Sequence, residues 1–388
     1  MYRRYDQGLG LYIHIPFCLK KCNYCDFYSL PVQTGILQRY VRAVVKELEL
    51  RARDVEDRRI KSVYLGGGTP SLLSPSELSL IINSINLNWD LDNEAEVSLE
   101  ANPASLNGKA LEFIHKAGFN RISLGVQSFQ DRDLQILGRS HSSQEAWQSI
   151  ELIKNSGFSN LNLDLIYGIP GQTIDKWQET LAQALDARPA HLSVYLLQLD
   201  EEVPLSRYIK AGHYQLCDED TEAQMYQLAI QMIEKAGLFQ YEISNFARPG
   251  YECQHNLGYW KANEYLGIGP GAVSFQGNRR YINKKNLLEY LGCLEKDQEP
   301  ETEELEFMDA QELAADAIIL GLRLCTGIKL KDLVQTYGIN ELNYYKDIIE
   351  GFINQGLLEM DKGYLRLSRK AYFLSNQVIC HFLPDLES

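Results

Sequence analysis

The sequence predicts an α/β fold: a partial (β/α)6 barrel followed by a small C-terminal winged-helix-like α+β domain. Strand-like runs alternate with amphipathic helical patterns along most of the chain, which is typical of a parallel sheet with crossover helices. From about residue 298 the composition changes to an acidic run that is followed by helices and a hairpin pattern. We therefore divide the chain into a barrel domain, residues 1–297, and a C-terminal domain, residues 298–388.

The elements follow from local patterns of apolar residues and turn formers. Strands are predicted near residues 9–17, 61–66, 96–101, 121–126, 161–167 and 191–199, with one more at 241–246. Helices between them include Gln38–Arg53, Pro75–Asn86 and Thr173–Ala187. The C-terminal domain is expected to begin with an acidic linker at residues 298–306, followed by helices at 310–324, 330–337 and 341–355, a hairpin within 357–367, and a last helix at 369–382.

The composition argues against several classes of protein: nucleic-acid-binding, membrane-spanning and disulfide-rich secreted proteins. The chain has 388 residues, 45% of them hydrophobic, and a formal net charge of −14. This acidity argues against nucleic acid as a partner, because phosphate binding needs a basic surface. No apolar run reaches the roughly 18 residues that a membrane helix needs, so any membrane association would be indirect. No signal peptide is recognisable, and five widely spaced cysteines outside residues 18–25 form no disulfide framework, which predicts a reducing cytoplasm.

Three cysteines, Cys18, Cys22 and Cys25, stand in a C-x3-C-x2-C pattern directly after the first predicted strand. Thiolates hold iron–sulfur clusters, so this trio would bind three irons of a [4Fe-4S] cubane and leave the fourth open to a ligand that is not protein. A structural zinc site would want a fourth Cys or His at short spacing. Apolar cover for the cluster is expected from Phe17, Tyr24 and Phe27.

A matching ligand pocket is predicted at the carboxyl ends of the strands, where barrels of this kind place ligand-contacting residues. A glycine-rich loop, residues 66–71 with Gly67, Gly68 and Thr69, follows the second strand and lets backbone amides approach a polar group. Later strands each deliver one polar residue near this end, Glu100, Gln127 and Asp164. Capping of the following helices is the structural alternative for each of the three.

The cysteine pattern after a first strand resembles that of the radical S-adenosylmethionine (SAM) superfamily. The resemblance implies a radical SAM barrel in which SAM chelates the open iron and receives one electron from the cluster. It also implies that residues 66–71 hold the methionyl amino end of SAM.

Nearly the whole chain resembles the oxygen-independent coproporphyrinogen III oxidase branch of that superfamily. This resemblance assigns Glu100 and Arg139 to the methionyl end of SAM and Gln127 and Asp164 to its ribose hydroxyls. It also places Tyr12 beside the cluster, although an aromatic residue on an inward-facing strand is also a common core residue.

Two departures separate the chain from the oxidases within that branch. Oxidases carry a further cysteine where this sequence has Phe27, and they have a longer segment before the first cluster cysteine. Both departures match the haem-chaperone group called HemW. The sequence His255-Asn256-Leu257-Gly258-Tyr259-Trp260 also matches HNxxYW, a signature of that group. The resemblance makes His255 a candidate haem ligand, with Cys253 as a rival, because imidazole and thiolate both ligate haem iron.

We therefore predict a cytoplasmic haem chaperone that contains a [4Fe-4S] cluster, binds SAM and passes haem to acceptor proteins. Two alternatives stay open: oxygen-independent coproporphyrinogen III oxidation, and another radical SAM reaction on a tetrapyrrole. Cleavage of SAM in turnover and assembly into a homodimer are also left open by the sequence.

Overall fold

A computed structural model describes residues 8–33, 35–55, 57–338 and 344–383. Six parallel strands form the barrel and neighbour one another in chain order. They are Leu9–Ile15 (β1), Arg59–Gly67 (β2), Asp90–Ala101 (β3), Arg121–Gln127 (β4), Asn160–Tyr167 (β5) and His191–Leu196 (β6). Each of the six strands predicted for the barrel overlaps one of these, so the partial (β/α)6 barrel is confirmed.

Helices cover the outside of the barrel. They are Ile36–Asp54 (α1), Pro75–Asn88 (α2), Gly108–Lys116 (α3), Asp131–Leu137 (α4), Ser143–Asn155 (α5), Ile174–Asp186 (α6), Pro204–Lys210 (α7) and Glu219–Lys235 (α8). Their starts are locally encoded: α2 and α5 both begin with a capping box, Ser74 with Glu77 and Ser142 with Glu145. In each box the serine and glutamate satisfy amide groups that have no partner inside the helix.

The sheet continues beyond both edges of the six strands. On the β6 side it adds Phe239–Gln240 (β7) and Asn245–Ala247 (β8), and on the β1 side it adds Tyr265–Ile268 (β9), Val273–Gln276 (β10), Arg279–Asn283 (β11) and Thr302–Phe307 (β12). Strand β9 runs parallel to β1, whereas β10 to β12 are antiparallel. Two further helices of this region are Gln254–Trp260 (α9), which carries the HNxxYW motif, and Leu287–Leu294 (α10).

The acidic run predicted as a linker is instead the edge strand β12, and that prediction is wrong. All six of its residues are exposed, and it pairs with β11. Its glutamates face basic residues across the strand pair: Arg279 lies 2.6 Å from Glu304, and Arg280 contacts Glu306. Opposite charges on paired strands stabilise a sheet, and charged side chains also protect an exposed edge from pairing with other chains.

The C-terminal part contains a helical unit with a hairpin wing, as predicted. Its elements are Ala310–Gly321 (α11), Ile328–Lys329 (β13), Leu330–Tyr337 (α12), Lys346–Asn354 (α13), Leu358–Asp361 (β14), Tyr364–Leu367 (β15) and Ser375–Ile379 (α14). The hairpin is confirmed, and β13 joins it in a three-stranded sheet. Residues 341–343 of the predicted helix at 341–355 lie outside the described residues. The predicted helix at 369–382 is two short 3-10 turns flanking α14.

One continuous apolar core joins the barrel to the C-terminal part, from Leu9 to Phe382. A second, smaller cluster lies at the carboxyl ends of β5 and β6 and is formed by Ile136, Leu137, Ile166, Ile169, Leu197 and Leu205. None of the described helices is both long and apolar enough to cross a membrane.

Candidate active site

The cysteine loop, residues 18–25, leaves β1 at Pro16 and is held over the carboxyl end of the barrel. Asn23 anchors it: its backbone amide and its side chain donate to the carbonyls of Leu137 and Ile136, at 2.9 and 3.0 Å, at the end of α4. Its carbonyl accepts from the amide of Leu205 in α7, at 2.8 Å. Tyr24 packs on the smaller apolar cluster below. The loop is therefore positioned by the barrel rather than by its own local structure.

The three cysteines of this loop are free and half-buried. Burial raises the pKa of Cys25 to about 11, with a smaller contribution from the neighbouring Cys22 and Cys18 because adjacent thiolates repel. No three His, Cys, Asp or Glu side chains among the described residues converge on a single metal position. A cubane does not require such convergence, because each thiolate binds a different iron.

Two donors approach the cysteine sulfurs from the barrel. The hydroxyl of Thr69 lies 3.6 Å from Cys18 Sγ, and Arg139 Nη1 lies 3.4 Å from Cys22 Sγ. Donors directed at sulfur stabilise thiolate and tune the potential of a cluster. The donor set therefore fits a [4Fe-4S] cluster held by Cys18, Cys22 and Cys25.

The glycine-rich loop packs directly against β1 and the start of the cysteine loop. The amides of Gly68 and Thr69 donate to the carbonyls of Ile15 and Phe17, both at 2.8 Å. A Cβ atom at Gly68 would lie 2.6 Å from the Phe17 carbonyl, and one at Gly67, whose φ is +102°, would lie 2.5 Å from the His14 ring. Glycine is required here by close backbone packing.

Glu100, at the end of β3, contacts the same loop. Its carboxylate accepts from Tyr64 Oη at 2.8 Å and from the Gly67 amide at 3.1 Å. Burial, together with the nearby charge of Asp164, raises the pKa of Glu100 to about 7. A cationic ligand group beside Glu100 would favour its ionised form. Tyr64 could not be predicted as a partner of Glu100 from the sequence, since an aromatic residue inside a strand pattern also fits a core position.

Arg139 directly follows Gly138, which ends α4 in a left-handed conformation. Its Nη2 donates to the Gly125 carbonyl at 2.8 Å, while its Nε is buried and has no hydrogen-bond partner among the described residues. A buried guanidinium nitrogen without an acceptor is costly unless a ligand supplies one. A carboxylate suits this group because it can accept two parallel hydrogen bonds.

Gln127 is the last residue of β4, and Asp164 lies in the carboxyl half of the neighbouring strand β5, three residues before its end. Gln127 has a φ of +66°, follows an irregularity in the β4–β5 pairing and is buried. A positive φ is unusual for a residue with a side chain and marks a strained position that the surrounding structure maintains. Asp164 accepts from Ser123 at 3.1 Å and from Asn162 at 2.8 Å, and burial raises its pKa.

Tyr12 connects this mouth to the HNxxYW helix. Its hydroxyl lies 3.0 Å from His14 Nδ1, and its ring lies 6.4 Å from both the Tyr64 and the His255 rings. His14 Nε2 in turn lies 2.8 Å from the Tyr28 carbonyl beyond the cysteine loop. Tyr12 is thus part of an aromatic wall as well as a neighbour of the candidate ligand pocket.

His255 lies inside the barrel, with both ring nitrogens engaged. Nδ1 is 2.9 Å from Ser62 Oγ, and Nε2 is 2.9 Å from Tyr259 Oη. Burial, together with the buried cation of Arg121, lowers the pKa of His255 to about 3. Haem iron could coordinate a ring nitrogen of His255 only after one of these hydrogen bonds is broken.

The rival ligand Cys253 is also internal. It is fully buried, its Sγ lies 3.4 Å from Glu96 Oε1, and burial raises its pKa to about 12. Glu96 also accepts from the amides of Gln254 and His255, so it caps the start of α9. Neither Glu96 nor Arg121 was singled out by the sequence, because the register that places them beneath α9 is a tertiary feature.

Outside the barrel, a cleft of about 600 Å³ runs from the cysteine loop to the end of α9; we call it the cluster-side cleft. Its aromatic walls are formed by Tyr12, Phe27, Tyr28, Tyr259, Trp260, Tyr265 and Phe275. Phe27, expected to cover the cluster, is instead 60% exposed at this cleft. Sequence reasoning missed Tyr28, Tyr265 and Phe275, which belong to three separate segments.

Comparisons with known proteins agree with this geometry. Family models of the radical SAM superfamily and of the HemN C-terminal domain match residues 12–184 and 308–374. The chain is 32% identical to the "Heme chaperone HemW" of Bacillus subtilis, over 97% of this chain and 99% of the relative. It is 36% identical to the HemW of Mycobacterium tuberculosis, over 96% and 94%.

The chain belongs to the HemW family. The fold is also that of a solved radical SAM enzyme, coproporphyrinogen III oxidase (HemN) from Escherichia coli. That structure matches with a TM-score of 0.84 at 23% identity and covers 98% of this chain and 91% of the enzyme. The HemW assignment and the radical SAM fold predicted from the sequence are therefore confirmed.

Proposed function

We propose that this protein is a cytoplasmic haem chaperone that contains a [4Fe-4S] cluster, binds SAM at the barrel mouth and transfers haem to acceptor proteins. The observation that carries the proposal is the cluster-side cleft, which places an aromatic surface next to the candidate cluster ligands. Its volume of about 600 Å³ lies in the range of small-molecule sites. The relatives named heme chaperones support the assignment.

The cluster would be held by Cys18, Cys22 and Cys25. When bound, the cluster supplies one electron and an open iron, which the amino and carboxylate groups of SAM can chelate. Burial disfavours a free thiolate at Cys25, whereas a coordinating metal deprotonates a thiol outright. The thiols of this loop would therefore lose protons as the cluster assembles.

SAM would bind between the glycine-rich loop and the ends of β3 to β5. Glu100 would accept a hydrogen bond from the SAM amino group, and Arg139 would bind its carboxylate, which gives the unpartnered Nε an acceptor. Gln127 and Asp164 would bind the ribose hydroxyls, because an amide and a carboxylate suit a pair of hydroxyl groups. Thr69 and Tyr12 would line the pocket close to the cluster.

The cluster-side cleft suits a tetrapyrrole because flat aromatic walls pack against a planar macrocycle. Phe27, at the place where oxidases carry a further cysteine, is an exposed wall of this cleft. His255 does not line the cleft, although its neighbours Tyr259 and Trp260 do. Haem ligation by His255 therefore stays a prediction that requires release of Tyr259 Oη.

The decisive experiment compares chaperone and enzyme on the same preparation. The full chain is reconstituted anaerobically with iron and sulfide, then assayed in parallel for haem uptake, haem transfer to an apo-acceptor and carbon dioxide release from coproporphyrinogen. We expect a Soret shift and transfer, with no decarboxylation even when SAM and a reductant are present. Decarboxylation in repeated turnover would overturn the proposal in favour of the oxidase alternative.

Phe27→Glu tests the cleft in that assay, and Leu19→Glu is its matched control. Both side chains are exposed, at 60% and 61%; Leu19 lies in the cysteine loop and Phe27 two residues after it, but Leu19 does not line the cleft. A carboxylate against the macrocycle must be desolvated, so haem uptake should fall in Phe27→Glu and not in Leu19→Glu. Equal uptake in both variants would remove the cleft from the proposal.

A further inference from the structure

A second cavity lies on the opposite side of Trp260, between the end of α9 and the C-terminal part. We call it the interdomain cleft; its volume is about 620 Å³. One wall is Trp260 and Lys261, the floor is α11 at Ala317 and Gly321, and the other wall is α12 with the β14–β15 hairpin. Trp260 and Asn263 line both clefts, so the two cavities share a partition.

The interior of the interdomain cleft combines aromatic and apolar side chains. Trp260, Leu333, Tyr337 and Tyr364 line it, and Leu333 and Tyr337 are each 5% exposed. The Arg323 guanidinium lies 4.5 Å from the centre of the Trp260 ring, which fixes that ring by a cation–π contact. The Trp260 Nε1 atom is buried and has no acceptor among the described residues. The partition is therefore a preorganised aromatic wall with an unused donor.

The charges at this cleft favour an anion. Four cations, Lys261, Lys329, Lys362 and Arg366, line it together with two carboxylates, Asp332 and Asp361. None of the three lysines takes part in an ion pair within the described part of the chain, and Lys329 Nζ lies 5.9 Å from the centre of the Tyr364 ring. Arg366 lies 3.1 Å from Glu359 and 4.0 Å from Asp361. The lining cations therefore outnumber the lining carboxylates in a chain whose net charge is −14.

The hairpin tip adds an independent feature. Lys362 occupies the turn between β14 and β15 with a φ of +48°, a conformation that glycine, asparagine and aspartate adopt more readily. A lysine at this position carries a backbone cost, and it places a cation at the edge of the cleft. Observed strain of this kind is a pointer to a binding role.

The cluster-side cleft offers less to an anionic edge. Its Arg280 is already engaged with Asp316 at 3.1 Å and with Glu306, which leaves Lys285 as its other lining cation. A tetrapyrrole with carboxylate side chains has a flat apolar body and an anionic edge. The interdomain cleft matches both parts, with aromatic walls for the body and three lysines for the edge.

We propose that the interdomain cleft is a second tetrapyrrole site, which binds the carboxylate-bearing form of the macrocycle next to the cluster-side cleft. This inference rests on the proposed haem-chaperone function and assigns a second place, besides the cluster-side cleft, where haem is held. Trp260 lies between the two sites, so a bound macrocycle in either cleft contacts the same partition.

The test is titration of the ligand-free full chain with haemin, followed at the Soret band. We expect two haemin equivalents for the unaltered chain and one for the double variant Lys329→Glu/Lys362→Glu. Lys331→Glu is the matched control, because this exposed lysine lies on α12 but does not line the cleft; it should keep both equivalents. The dimethyl ester of haemin, which lacks the carboxylates, should occupy one site in the unaltered chain.

The variant Phe27→Glu separates the two sites. It should leave one equivalent, and combination with Lys329→Glu/Lys362→Glu should remove that one as well. A single equivalent that Phe27→Glu abolishes and the lysine changes leave intact would overturn the second site and leave the proposed function in place. Absence of haemin uptake by the unaltered chain would overturn the function and the inference together.

Discussion

The barrel mouth and helix α9 carry the two chemical signatures of this chain, and they are built in opposite ways. At the mouth, Arg139 Nε has no acceptor among the described residues, and the pKa values of Glu100 and Asp164 are raised by burial. In α9, both nitrogens of His255 have partners, and Glu96 caps the helix start. The mouth therefore offers a ligand an unpartnered donor, whereas His255 in α9 already has its hydrogen-bond partners.

This difference changes how the HNxxYW motif is understood. Its histidine is an internal anchor that ties α9 to β2 through Ser62, while its tyrosine and tryptophan reach the clefts outside. The motif thus joins an internally hydrogen-bonded histidine to two residues that line the clefts.

The largest effect is expected at the cysteine loop. Cys22→Ala should abolish cluster assembly, because two thiolates do not hold a cubane firmly, and the brown chromophore should be lost. Iron and sulfide analysis after anaerobic reconstitution checks this. Cys380→Ala is the control, since Cys380 is exposed and far along the chain in the C-terminal part. Normal iron content in Cys22→Ala would remove the cluster assignment.

The next effect concerns the ligand pocket. Asp164→Ala removes a buried carboxylate, and loss of such a partner should weaken SAM binding by about 2–5 kcal/mol, which is at least roughly 30-fold in Kd. Arg139→Ala should weaken SAM to a similar degree. Calorimetric titration of SAM into reconstituted protein measures both.

The control for this pocket is Asp186→Ala, an exposed carboxylate at the end of α6. It should bind SAM like the unaltered protein. Unchanged affinity in both Asp164→Ala and Arg139→Ala would contradict the pocket.

A smaller effect should appear as a pH dependence of stability. The pKa of Glu100 is raised to about 7 in the fold, so the folded state binds this proton more tightly than the unfolded state does. Its contribution is therefore fully present below about pH 4.5 and is lost as the pH rises towards 7, by at most about 3 kcal/mol.

Glu100→Gln should remove that part of the pH dependence in ligand-free protein. Urea unfolding of Glu100→Gln and of the unaltered protein between pH 4.5 and 8 measures this. The difference between their free energies of unfolding at each pH cancels the contribution of other carboxylates whose pKa values are raised. Parallel stability curves for the two forms would show that Glu100 titrates normally.

The smallest effects test whether His255 in α9 is only a hydrogen-bonded anchor or also a ligand of haem iron. Tyr259→Phe removes one hydrogen bond and should lower the free energy of unfolding by about 1 kcal/mol, and His255→Ala, which removes two, by about 2 kcal/mol. Because Tyr259→Phe also frees His255 Nε2, it should strengthen haem binding if His255 is the iron ligand. A Soret spectrum that neither change alters would place the iron ligand elsewhere.

Much of the architecture was encoded locally. Alternating strands and helices and the C-x3-C-x2-C spacing are short-range patterns, and they predicted the barrel, the hairpin and the cysteine loop. The acidic run misled because a row of glutamates fits a linker as well as an edge strand. Only the arginines of β11, brought alongside by the sheet, distinguish the two.

The sequence by itself determined which residues stand at the carboxyl ends of the strands, because strand order and period follow from apolar spacing. The tertiary structure alone decided that both nitrogens of His255 are occupied, that Tyr64 bonds Glu100, and that three lysines from separate segments share one cleft. The physical reason is that such contacts depend on register and on side chains distant in the chain. Local propensity does not encode these relations.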